Sequence, residues 1–219
     1  VNSATPTTPT ATEAQAQEAA TRSVDGTFDL KAATTDTNGE SATAMFTLYG
    51  DLQTMSYYNP PAAKSDGLAT AEYALDAACV TQSGTSVTYT NCSEQGSTLN
   101  GTASVNGDTV VFDVTVTVDT TAYAQYYPDS YSLTEVTVHE TGNLTVGTTA
   151  ITGTVNADVR TVGSVIGVPF DQTVSMNAVY DVQLDGAMCP TGGTLKVTST
   201  GSDVSTATFG PNCGDVTLQ

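Results

Sequence analysis

TVVFDVTVTVD, residues 109–119, decides how the rest of the chain is read. Val110, Phe112, Val114, Val116 and Val118 fall on one side of an extended chain; Val111, Asp113, Thr115, Thr117 and Asp119 fall on the other. An apolar residue at every second position is the mark of a strand with one buried face. The stretch QTVSMNAVYDVQL, residues 172–184, repeats the pattern with Val174, Met176, Ala178, Tyr180, Val182 and Leu184. Shorter alternations occur at 43–49, 133–138, 151–159, 194–198 and 204–209, and the pattern is read as beginning at Gly26.

Turn residues separate these runs: NGE at 38–40, NGD at 106–108, GTT at 147–149 and DG at 185–186. The NGD step between two β-rich runs predicts a tight hairpin. The expected fold is all-β, an antiparallel sandwich or barrel-like meander of roughly twelve to fifteen strands.

Residues 1–23 differ. A Thr/Pro/Ala tract has the composition of an extended tether, and Thr12 with Gln15 forms the pattern of a capping box opening a short helix. That helix shows mostly alanine, so apolar burial alone is not expected to hold it on a core. A contact with a neighbouring subunit, with strand addition through GTFDLKA at 26–32, is the expected means of ordering it. The chain starts at Val1, which is read as the start of a processed, secreted protein.

Two short motifs echo each other: LDAAC at 75–79 and LDGAMC at 184–189, each followed by a strand-like run, an aromatic residue (Tyr89, Phe209) and Asn-Cys at 91–92 and 212–213. The spacing does not suit a zinc site, and His139 is the single histidine. Two local disulfides are therefore expected, Cys79–Cys92 and Cys189–Cys213, and with them an oxidising compartment. The echo also suggests a duplication: an N-terminal segment over 1–23, a first β unit over 24–120 and a second over 121–219.

The 219 residues carry a net charge of −18, with 23 acids against 5 scattered bases. Nucleic acid and anionic membrane surfaces are poor partners for such a chain. No apolar run approaches the length of a membrane span.

Catalytic signatures are lacking: no nucleophile elbow accompanies His139, which alternation places with Glu135 and Thr137 on a polar strand face. Asp36, Asn38 and Glu40 are the best calcium candidates, but they lack the loop pattern of a helix–loop–helix site; no other cofactor is suggested. Tyr57, Tyr58, Tyr123, Tyr126, Tyr127 and Tyr131 cluster beside prolines and are the candidate recognition residues. Asn91, Asn100 and Asn143 lie in glycosylation-type strings.

These features point to a secreted, non-enzymatic structural subunit of an extracellular or cell-surface assembly, whose partners are copies of itself or another surface protein. The alternative is a surface or periplasmic binding module, lipid-anchored or tethered, that recognises glycan or protein through the Tyr-rich loops.

Overall fold

The computed structural model describes residues 11–34, 40–56, 79–94, 97–120 and 131–219. Two helices, α1 (Glu13–Ala33) and α2 (Glu40–Ser56), precede ten strands. The strands are β1 (Val80–Ser83), β2 (Ser86–Glu94), β3 (Ser97–Asn106), β4 (Thr109–Val118), β5 (Tyr131–Val146), β6 (Ala150–Val165), β7 (Val168–Leu184), β8 (Pro190–Ser199), β9 (Ser205–Phe209) and β10 (Val216–Leu218). They form one antiparallel sheet in chain order from β1 to β10, an up-and-down meander.

The decisive stretch is β4. Val110, Phe112, Val114 and Val116 are buried, while Val111 and Asp113 face out. The expected hairpin joins Asn106 to Thr109, with Gly107 at φ +61° supplying the left-handed turn. The described residues hold ten strands rather than twelve to fifteen because β5, β6 and β7 are long, at 16, 16 and 17 residues.

Residues 26–33 and 40–56 are helical, not extended. The alternation read at 43–49 covers too short a window. Across all of α2 the buried apolar residues are Ala42, Ala44, Met45, Leu48, Leu52 and Met55, and all but Ala44 fall at helical spacing. The segment at 26–32 is likewise the second half of α1 and offers no strand for addition.

The capping box at Thr12 and Gln15 opens α1 as expected. The alanines then do more than composition suggested. Ala19, Ala20, Val24 and Leu30 are buried in one cluster with α2 and the inner sheet face, and Ala16 is buried as well. Small residues let the helices approach closely: a Cβ on Gly26 would lie 3.7 Å from Leu48 Cδ1. The order expected from a neighbouring subunit is supplied over residues 11–33 by the chain itself.

Helix α1 crosses the sheet, touching β5, β8 and β10, while α2 touches β7 and β8. Gln17 donates to Val216 O at 3.0 Å, and Lys31 donates to Asp108 Oδ1 at 2.6 Å and Val146 O at 2.7 Å. The boundary after residue 23 falls inside α1, and the one after residue 120 falls between β4 and β5, which pair over ten positions.

Candidate functional site

Both disulfides form as paired from the sequence, with Cα–Cα distances of 5.1 Å and 5.5 Å. Cys79 and Cys189 each stand immediately before a strand, β1 or β8. Cys92 and Cys213 each follow the buried aromatic of the next strand, Tyr89 or Phe209. The cysteines of the second copy stand 24 positions apart against 13 in the first, chiefly because β8 has 10 residues against 4 in β1, with a longer turn at 200–204 adding to it.

The candidate recognition residues Tyr57, Tyr58, Tyr123, Tyr126 and Tyr127 lie outside the described residues, as do Asp36 and Asn38. Tyr131 opens β5 opposite Val165, and Glu40 opens α2. Among the described residues no group of three or more potential ligands is arranged to hold a metal. His139 stands on the outer sheet face, as its alternation predicted, with Nε2 2.9 Å from Asp113 Oδ1. Asn91, Asn100 and Asn143 are all exposed.

One uncovered feature among the described residues is a projection that alternation alone did not reveal. Strand β4 pairs β5 only from Val136 onward, and β8 pairs β7 only from Met176 onward. Residues 131–135, 160–165 and 168–175 of β5, β6 and β7 therefore extend past their neighbours as a three-stranded wing. Its helix-side face continues the core face but lies beyond the helices, leaving Val165, Val168 and Val174 at 40%, 67% and 45% exposure.

The tip is the turn Ile166-Gly167, at φ +52° and +76°. A β-branched residue in the left-handed region is costly, and Ile166 is also 80% exposed. On the outer face Arg160 bridges the wing, pairing Asp171 through Nε and Nη2 and Glu135 through Nη1, at 2.9–3.0 Å. The guanidinium holds the Asp171 carboxyl below its ordinary value. Ser175 N–H donates to Thr200 Oγ1, and Thr200 N–H to Ser175 O. The same edge continues outward through Thr173 and Asp171, where no described strand pairs with it.

Beneath the helices lie two buried polar sites. Glu140 sits on the inner face of β5 between Val114 and Ala157, at 1% exposure, and its Oε1 has no hydrogen-bond partner. Burial pushes its carboxyl up to about 8, so it is held as the neutral acid in weakly acidic solution. The second site joins α1, α2 and β7. Asp51, at 1% exposure, accepts from Arg22 Nε at 2.9 Å while its Oδ2 is unpartnered. Burial pushes the Asp51 carboxyl up against the pull of Arg22.

The Tyr180 hydroxyl reaches this second site near Ser23, whose own hydroxyl donates to Ala20 O at 2.8 Å, but completes no hydrogen bond there. Glu140, Asp51 and Tyr180 are closed to solvent, while Arg22 reaches Asp51 from an exposed position, an arrangement suited to fixing the seat of the helices.

Comparison of the chain with protein-family models, characterised proteins and solved structures gives no match. Two disulfides fit an extracellular or periplasmic protein, and no described helix is long and apolar enough to cross a membrane.

Proposed function

We propose that this chain is a non-enzymatic structural subunit of a secreted or cell-surface assembly, a filament or a layer. The observation that supports this reading is the wing of β5–β7, with its exposed valines, its strained apolar tip and the open edge of β7. An open edge beside an apolar face is what a protein normally blunts or covers. Here Pro169 and Asp171 blunt it only in part, and Arg160 neutralises the acid. The disulfides and acidic exterior suit a protein working outside the reducing cytoplasm.

Light scattering after size exclusion, with negative-stain imaging of the full chain, tests this reading. Oligomers or filaments that grow as salt screens the −18 charge are expected. Thr173→Pro removes an outward-facing N–H, and Ile166→Asp places charge at the tip; each should reduce assembly at unchanged melting temperature. A monomer at every concentration and salt sinks the reading.

The binding-module alternative draws its support from position. Tyr131, the last residue of the Tyr-rich run at 122–131, opens β5 opposite Val165 beside the same tip. Under it, the monomer binds a glycan or protein, and Ile166→Asp weakens that binding instead.

A further inference from the structure

A groove of about 270 Å³ runs between α1 and the second staple, away from the wing. Thr21 and Asp25, one helical turn apart, form one wall; Met188, Pro190, Phe209, Val216 and the Cys189–Cys213 disulfide form the apolar remainder. Asp25 is exposed and has no hydrogen bond or ion pair among the described residues; partial desolvation, with Asp29 nearby, pushes its carboxyl up. Thr21 already donates its hydroxyl proton to Gln17 O at 3.2 Å, so toward the groove it offers only acceptor capacity. Met188, in the left-handed region at φ +61°, is 51% exposed at the rim.

We propose that this groove is a binding site for a primary alkylammonium group, the chemistry of a lysine side chain on a partner protein. The acceptors are few, the Asp25 carboxylate and the Thr21 hydroxyl, and the rest of the lining is largely apolar. Such a slot rewards a cation with a long aliphatic stem, which can lie along thioether, disulfide and ring while its N–H groups reach Asp25 and Thr21. The acceptor set is too sparse for calcium, which takes six to eight oxygens. The volume falls below that of a typical small-molecule pocket and suits one side chain. A net charge of −18 attracts basic partners. The site stands independently of the assembly reading.

The test is NMR titration of the full, oxidised chain with Nα-acetyl-lysine methylamide, followed at the Met188 and Thr21 methyls. Saturable shifts at both are expected, and the Nε-acetylated probe should give none. Asp25→Asn should weaken binding at least tenfold, as expected for loss of a charge-assisted bond, and Thr21→Val severalfold. Asp203→Asn, which removes an exposed acid elsewhere, should have no effect. Pentylammonium in parallel separates the sources: tighter binding of the lysine derivative assigns the amine to a protein, and tighter binding of pentylammonium to a free amine. Shifts spread over the acidic surface, or equal effects of the Asp25 and Asp203 variants, overturn the site.

Discussion

Glu140 is the residue whose chemistry most departs from its setting. It occupies an inward position in a run that otherwise reads Val136, Val138, Gly142, Leu144, Val146, and no described group compensates it. Its folded-state pKa is raised from 4.5 to about 8, so the folded form holds a proton that the unfolded form releases. The unfolded state then binds fewer protons, and stability falls as pH rises between those two values. The slope is at most about 1.4 kcal/mol per pH unit. Denaturant unfolding from pH 4.5 to 8 should show this decline, and Glu140→Gln should flatten it and be the more stable form at pH 8. An unchanged slope in the variant would assign the decline to other carboxylates. The alternation that exposes His139 also turns Glu140 inward, so this buried acid was legible in the sequence. It was passed over because carboxylates in so acidic a chain are read as surface.

At the scale of elements, what sequence patterning reached and what it missed have separate physical causes. Strands β4 and β7 were readable because each has one wet and one dry face, which forces period two. The staples were readable because cysteines that close a hairpin must be near in sequence. Helix α2 was missed because a helix and a strand both place residues four apart on one face, as Ala44 and Leu48 are, so the short window at 43–49 fits either. The wing was missed because strand length relative to a neighbour is a property of pairs, invisible in one strand's pattern. A test at this scale is Gly142→Ala on β5. A Cβ there would lie 2.1 Å from Phe112 Cε1 on β4, whose ring is buried at 2% exposure, so the ring must move. The expected cost is about 1–3 kcal/mol of overpacking, with Phe112→Leu in the same chain restoring part of it, read by thermal unfolding.

For the whole molecule, the first helix is core and not appendage. Deleting residues 1–23 removes Ala16, Ala19, Ala20 and Ser23 from beneath the sheet and cuts the Arg22–Asp51 pair. Against a folding margin of roughly 5–15 kcal/mol, that loss should abolish cooperative unfolding by circular dichroism; a truncated chain with the parent's melting temperature would show that α1 contributes nothing. The contact between Gln17 and Val216 has a further consequence, in time rather than space. Every strand pairs with its immediate successor, so hairpins can close one after another as the polypeptide is made. Helix α1 rests on β10, which follows it in the chain by 199 positions. Strand β10 must therefore be made before that helix finds its final seat. Until then the growing chain carries an uncovered apolar ribbon, and its passage to the native state is gated by the arrival of β10.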